Sequence, residues 1–472
     1  MKTYQMMING ENQGENLPVV EVNNPATGEV IATVPKGGAD EAALAVDAAY
    51  EAFKEWSKLS AYERSELIRD WYDLIKENTE DLARTMTEEQ GKPLPEARGE
   101  INYANGFISW YAEEGKRIYG ESIPATGQNK RLFVHKQPVG VTAVITPWNF
   151  PAAMITRKVG PALAAGCTVV IKPANLTPIT AIKLVQLAKQ AGIPKGVINV
   201  VTGDSKVIGE TWLADTRVRK LTFTGSTEVG KELMKGAADT VKKISLELGG
   251  HAPAIVLEDA DLDKAAAGVL AAKFRNAGQT CVCVNRVYVH ESIADAFTKK
   301  LVEKASALKV GNGLEEGTDI GPLIDESAIE KVGQHVDDAK EKGATVELGG
   351  NVKDGLFFEP TILTGVTDDM ICMTDETFGP VTPITTFKTE DEAIERANDS
   401  IYGLAAYVFT ENITKGIHIS EQLEYGIVGL NDGIPSTPQA PFGGFKQSGL
   451  GREGGQQGMD EYLEVKYISV GL

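Results

Sequence analysis

The chain has 472 residues, a formal net charge of −19, 42% hydrophobic residues and 24% charged ones. That length exceeds what one hydrophobic core holds, so two or three domains of ordinary globular composition are expected. The acidic balance argues against a nucleic-acid partner, which needs a basic surface, and no run of about eighteen apolar residues exists to span a membrane.

Four cysteines in this length make no disulfide framework, and Met1 to Gly10 lacks the apolar core of a secretory signal. A reducing, cytoplasmic setting is the expectation. Residues 5–23 read as short strands around Asn9-Gly10, a dipeptide suited to a tight hairpin. A helix over 40–56 follows. A second opens at Ser60, where Ser60 and Glu63 form a capping box, each satisfying a free backbone N–H. Leu67, Trp71, Leu74 and Ile75 are the stripe this helix is expected to bury. Residues 120–138 differ in character: a Pro/Gly/Asn-rich bend leads into the strand-like Arg131 to His135. The C-terminal Tyr462 to Val470 also has strand chemistry, and an unpaired edge at a chain end is usually covered by another strand. The Arg131 to His135 strand and the tail together point to a homo-oligomer; pairing within the chain is the alternative.

From Val139 strands and helices alternate, with strands at 141–146, 168–172, 197–201, 220–224 and 243–247. This pattern predicts a parallel, doubly wound α/β sheet, which binds ligands at the carboxyl ends of its strands. Asn149, Lys172, Ser226 and Glu247 all fall there. A second alternating series over 252–429 predicts a second α/β domain, and it carries Cys281. The chain is thereby divided into a Rossmann-like cofactor domain (1–119 and 139–247), a catalytic domain (248–430) and a β arm (120–138 and 457–472). The site is expected in the cleft between the first two.

Phe223-Thr-Gly225-Ser226-Thr-Glu-Val-Gly230 sits where a strand turns into a helix. It is not the Gly-x-Gly-x-x-Gly fingerprint, and on its own it reads first as an ordinary strand–helix turn. Even so, Gly225 lets backbone approach a phosphate, and Ser226 lies at a helix N-terminus, which favours an anion. Of five histidines none lies near Cys281 in sequence, so a Cys–His hydrolase has little support, and no Cys/His spacing suits a metal.

Four motifs stand in one order along the chain: Ile145-Thr-Pro-Trp148-Asn149-Phe-Pro151, Leu246-Glu247-Leu248-Gly-Gly250, Phe274-Arg275-Asn-Ala-Gly-Gln-Thr-Cys281-Val-Cys283 and Glu376-Thr-Phe378-Gly-Pro380. With Asn24-Pro-Ala-Thr-Gly28 before them and Pro441 to Glu453 after, the chain resembles the NAD(P)-dependent aldehyde dehydrogenase superfamily over nearly its whole length. The likeness is strongest to the branch acting on succinate semialdehyde.

The resemblance implies that Cys281 adds to an aldehyde carbonyl and becomes acylated. Asn149 and the Cys281 N–H would cradle the oxyanion, and Glu247 would activate water to hydrolyse the thioester. Trp148, Asn149, Lys172, Asn175, Gly225, Ser226, Gly230, Leu248, Glu376 and Phe378 would contact the cofactor, Glu376 at the nicotinamide ribose. Relatives that prefer NAD often carry Glu where Asn175 stands. A neutral amide does not repel a 2′-phosphate and Lys172 attracts one, so NADP is expected, with NAD possible.

Arg157, Arg275 and Ser436 would hold the carboxylate of a small anionic aldehyde, unless the arginines are structural ion-pair partners. The reaction implied is oxidation of succinate semialdehyde to succinate. Another aldehyde such as glutarate semialdehyde, or a catalytically silent homologue, is the alternative. Cys283 is a packing residue or a redox partner of Cys281. Residues 120–138 match the family's oligomerisation arm.

Overall fold

Two mostly parallel sheets flanked by helices carry the chain in a computed structural model, which describes residues 2–472. Across the first sheet the strands run Gly449–Leu450, Lys243–Glu247, Val218–Thr224, Val141–Ile145, Thr168–Lys172, Ile198–Val200, Met6–Ile8 and Glu11–Gln13. The five from Lys243–Glu247 to Ile198–Val200 are parallel; Gly449–Leu450 and Met6–Ile8 pair antiparallel to them, and Glu11–Gln13 pairs antiparallel to Met6–Ile8. Strand order reverses between Val141–Ile145 and Val218–Thr224, and a crevice opens at such a switch point. The turns leaving these two strands carry Asn149 and Gly225.

The hairpin at Asn9-Gly10 forms as the dipeptide predicts. Both residues have positive φ, 53° and 73°, the geometry of a two-residue turn that follows strand twist. Helices α1 (Ala39–Trp56), α2 (Ala61–Glu77), α3 (Thr79–Gln90), α4 (Leu94–Glu114), α5 (Ala153–Ala165), α6 (Pro178–Gln190), α7 (Ser205–Ala214) and α8 (Thr227–Ala238) cover this half. The capping box at α2 is present: Ser60 Oγ accepts from Glu63 N at 3.2 Å, and Glu63 Oε2 accepts from Ser60 N at 2.7 Å.

The buried stripe of α2 differs from the expected one. Arg64, Ile68, Trp71 and Ile75 are buried, with Leu67 and Leu74 half-buried at its edge. Arg64 can lie inside because its guanidinium donates to the Ala164 and Leu59 carbonyls. Helix α5 is buried on every side, including Thr156, Arg157 and Lys158, so no amphipathic pattern marks it.

The second sheet runs Thr345–Leu348, Thr361–Thr364, Val381–Phe387, Val284–His290, Ala252–Val256, Ala405–Phe409 and Ile427–Leu430, antiparallel only at its first pair. The chain crosses between the sheets once through Leu248–His251, directly after Glu247. It returns through Gly449–Leu450 to the edge of the first sheet. Arm and tail make a third, antiparallel sheet. Leu463–Gly471 pairs along its length with Lys130–Pro138, which also pairs with Glu121–Ile123. The tail therefore finds its first partner within the chain. Its outer edge stays unpaired, with Val465 69% and Tyr467 58% exposed. No helix among the described residues is long and apolar enough to cross a membrane.

Candidate active site

Two cavities of about 290 and 300 Å³ meet at Cys281. Its loop precedes strand Val284–His290, so the thiol sits at the amino edge of its own sheet, facing the carboxyl ends of the first. The backbone leading to it is unusual. Asn276, Ala277 and Gly278 all have positive φ, 51°, 55° and 75°. A Cβ on Gly278 would lie 2.2 Å from the Gly379 carbonyl oxygen, and one on Gly250 would lie 2.2 Å from that of Cys281. Glycine at both positions is what lets the loop enter the cleft.

Burial pushes the Cys281 thiol up to about 12, a shift that Arg157 and Arg275 oppose and that Glu376 and Glu247 reinforce. Asn149 is buried, and its Nδ2 donates to the Gln279 carbonyl at 3.0 Å. Its Oδ1 has no partner in the structure, and the second amide hydrogen is left for another acceptor.

The second cavity is lined by Trp148, Asn149, Gly225, Ser226, Leu248, Glu376 and Phe378, with Asp325 and Lys331 from the opposite side. Ser226 Oγ caps α8, accepting from Val229 N at 3.3 Å, so the first turn of that helix faces the cavity. A Cβ on Gly225 would strike the Phe223 ring, so the backbone there must stay bare. Trp148 and Phe378 meet edge to face at 5.6 Å, and Phe378 itself has φ 54°. Glu376 Oε1 accepts from Gly250 N at 3.0 Å, and burial raises its pKa to about 7. A helix N-terminus, a bare turn, a carboxylate and two aromatic faces fit the phosphate, ribose and ring of a dinucleotide.

The first cavity is lined by Lys92, Glu96, Tyr103, Phe150, Arg157, Arg275, Ser436 and Phe442. Arg157 is 2% exposed and already matched: Nε and Nη2 reach Glu453 Oε2 at 2.7 and 2.5 Å, and its guanidinium lies 3.9 Å from the Phe442 ring. Lys158 pairs with the same Glu453. Lys92 is matched by Glu100 at 2.5 Å. Arg275 has no ion pair among the described residues; it lies 5.4 Å from the Phe150 ring.

A family model described as "Aldehyde dehydrogenase family" matches residues 12–468. This chain belongs to the aldehyde dehydrogenase family. It is 55% identical to a succinate-semialdehyde dehydrogenase [NADP(+)] of Escherichia coli over 99% of this chain and 98% of the relative. It is also 55% identical to a glutarate-semialdehyde dehydrogenase of Pseudomonas putida, with the same coverage of both chains. The crystal structure of a succinate-semialdehyde dehydrogenase from Burkholderia pseudomallei superposes with a TM-score of 0.98 at 53% identity, covering 99% of this chain and 98% of that one.

In this aldehyde dehydrogenase several of the expected residues lie outside both cavities. Glu247 is 3% exposed, and its Oε1 would be 3.0 Å from a Cβ on Gly443. Burial and the Glu453 charge hold its carboxyl well above the usual range, against Arg157 and Lys158. Glu453 stays below its ordinary value despite burial, because those two cations face it. Lys172 Nζ donates to the Pro173 carbonyl at 2.7 Å and to Asn175 Oδ1 at 2.9 Å, so these two polar groups satisfy each other. Gly230 is covered by Leu248, whose Cδ2 leaves no room for a side chain.

Cys283 is fully buried, its Sγ 3.5 Å from the Lys273 carbonyl, and all four cysteines are free. No cluster of potential metal ligands occurs among the described residues. Sequence reasoning missed Lys92, Glu96, Glu100 and Tyr103, the first from the turn between α3 and α4 and the others from α4. The only local signal was the polar Gln90-Gly91-Lys92-Pro93 turn.

Proposed function

We propose that this enzyme oxidises succinate semialdehyde to succinate with reduction of NADP, NAD serving less well. The observation that carries the reading is Cys281 at the junction of a dinucleotide-shaped cavity and a cavity holding one unmatched arginine. Cys281 gives its thiol proton to solvent and adds as the thiolate to the aldehyde carbonyl, and the oxyanion is received by the Cys281 N–H and the remaining Asn149 amide hydrogen. One such donor contributes about 2.7–4 kcal/mol to the transition state. The cofactor, bound beside Cys281, supplies the acceptor for the hydride that leaves as the adduct becomes a thioester. Glu247 then swings from beside Gly443 toward Cys281 and takes the proton of the attacking water. Glu376 receives a ribose, Trp148, Leu248 and Phe378 pack on the nicotinamide side, and Gly225, Ser226 and α8 receive the pyrophosphate. Gly230 acts indirectly, by seating Leu248.

Arg275 and Ser436 grip the substrate carboxylate, and Arg157 adds to the local field while engaged with Glu453. Glutarate semialdehyde is the second reading, because the cavity of about 290 Å³ also admits one more methylene. That methylene changes kcat/KM by only about 10–200-fold. The tests are nicotinamide reduction across succinate semialdehyde, glutarate semialdehyde and propanal, with both cofactors. Propanal turned over as well as succinate semialdehyde would overturn the reading.

Lys172 gives the cofactor assignment a pH signature. Burial lowers its pKa to about 7, and only its ammonium form holds a 2′-phosphate. The KM for NADP is therefore expected to stay constant up to pH 7 and rise above it, by at most about tenfold per pH unit. The KM for NAD, with no 2′-phosphate, should stay flat. Parallel rises for both cofactors between pH 7 and 9 would remove Lys172 from this role.

The free outer edge of Leu463–Gly471 is where we place assembly into a homodimer or homotetramer, the arm comprising 120–138 and 457–472. Deleting 463–472 is expected to lower the solution mass measured by light scattering. An unchanged mass would move the interface elsewhere. The same proposal assigns 1–119 and 139–247 to cofactor binding and 248–430 to catalysis, in a cytoplasmic enzyme. It keeps Cys283, two residues along the chain, as the redox partner of Cys281; peroxide inactivation that thiols still reverse in Cys283→Ala would exclude it.

A further inference from the structure

We infer that Gln90, the last residue of α3, and Lys92, in the turn from α3 to α4, are positioning residues that hold Asn149 and the strained loop before Cys281 in register for the reaction. The inference rests on the roles proposed above for Asn149 and Cys281. Five hydrogen bonds close a ring. Gln90 Nε2 donates to Asn276 Oδ1 at 2.9 Å, and Asn276 Nδ2 donates to the Gln279 carbonyl at 3.3 Å. That carbonyl accepts from Asn149 Nδ2 at 3.0 Å. The Asn149 carbonyl accepts from Lys92 Nζ at 2.8 Å, and Lys92 N donates back to Gln90 Oε1 at 3.0 Å. A cross-brace runs from Asn276 Nδ2 to the Asn149 carbonyl at 3.1 Å.

Every side chain in the ring is buried, Gln90 completely, and so is Gln279, which lends the ring its carbonyl. Glu100 anchors it to the fold. One carboxylate oxygen pairs with Lys92, and the other accepts from Ala152 N and Ala153 N at 2.9 and 3.2 Å, where α5 begins. The Lys92 ammonium also lies 4.0 Å from the Phe150 ring. With its charge matched by Glu100 and a second hydrogen bond to the Asn149 carbonyl, Lys92 is committed to the ring rather than to the substrate's anion.

The ring has work to do in two places. Asn276 and Ala277 are not glycines yet hold φ near 50°, a conformation that persists only where surroundings over-determine it. Gln90 supplies that constraint through the Asn276 side chain. Asn149 must keep one amide hydrogen aimed at the oxyanion; Gln279 takes the other, and Lys92 fixes the Asn149 peptide. Removing a buried charge alone would leave its partner unpaired, so Lys92 and Glu100 are best changed together.

The test measures kcat, KM for NADP and thermal unfolding in Gln90→Met and in the combined Lys92→Met, Glu100→Gln protein, each with and without Asn149→Ala. A positioning role predicts a fall in kcat of about 100-fold, as a misplacement near 1 Å produces, with KM for NADP nearly unchanged. It also predicts that the Lys92→Met, Glu100→Gln change adds less than about twofold once Asn149→Ala is present, because it acts through that group, whereas Gln90→Met, which acts through the Asn276 loop as well, keeps part of its loss. Gln90→Glu keeps the chain length and the acceptor for Lys92 N, and it replaces Gln90→Met with the same expected loss should that protein not fold. A Lys92→Met, Glu100→Gln loss that multiplies in full with Asn149→Ala, or a kcat within about twofold of the parent for either change, would overturn the inference. If Asn149→Ala alone kept the parent kcat, the role of Asn149 would fall and this inference with it. That outcome differs visibly from one in which Asn149 matters and the ring does not.

Discussion

Glu247→Gln is expected to yield about one reduced nicotinamide per active site in a rapid burst and then almost nothing. General-base help in thioester hydrolysis is worth about 10²–10⁴-fold, so the steady rate should fall by that factor while the burst survives. The structure explains why the two phases separate. Glu247 lines neither cavity and rests beside Gly443 within reach of the Arg157, Lys158 and Glu453 charges, so addition of the thiol to the aldehyde does not depend on its resting position. Glutamine keeps the volume of the side chain in that buried pocket and removes only the base. Stopped-flow absorbance checks this. Loss of the burst together with the steady rate would mean that Glu247 is needed to deprotonate Cys281 first. The raised thiol pKa of about 12 makes that the sharpest competing outcome.

Arg275→Ala should lower kcat/KM for succinate semialdehyde by about 10–150-fold, the worth of one charge-assisted hydrogen bond of about 1.5–3 kcal/mol. Propanal, which has no carboxylate, should be spared to within about threefold. The contrast with Arg157 sets the expectation. Both arginines line the cavity, but Arg157 is locked to Glu453 and stacked on Phe442, whereas Arg275 has no ion pair. Breaking a buried pair costs about 3–5 kcal/mol, so Arg157→Ala would confound specificity with stability, and Arg275→Ala would not. Equal losses on both aldehydes would remove Arg275 from the anion site.

Much of this was legible in the sequence, and the reason is local. The strand–helix alternation after Val139, the capping box at Ser60 and the Asn9-Gly10 turn depend on neighbouring residues, and all appear as expected. The motif residues Cys281, Asn149, Ser226, Glu376 and Phe378 share one cavity because each follows, or precedes, a strand end at the cleft. What stayed hidden depends on distant partners. The Lys92 contact to Asn149 spans 57 residues and the Gln90 contact to Asn276 spans 186, so no periodicity marks them. The buried face of α2 was misjudged by one turn position because Arg64 is satisfied by carbonyls from elsewhere in the fold. Arg157 gave no sign that Glu453, nearly 300 residues away, would neutralise it. Lys172 and Asn175 were placed correctly at a strand end, but the sequence did not reveal that they bind each other.

The most direct measurement takes the Glu247→Gln protein, mixes it with NADP and succinate semialdehyde, quenches it in acid and weighs the peptide that contains Cys281. The mechanism predicts that this peptide gains the mass of one succinyl group, that hydroxylamine removes it, and that Cys281→Ser abolishes it. An unmodified Cys281 peptide in protein that has already reduced its nicotinamide would contradict it.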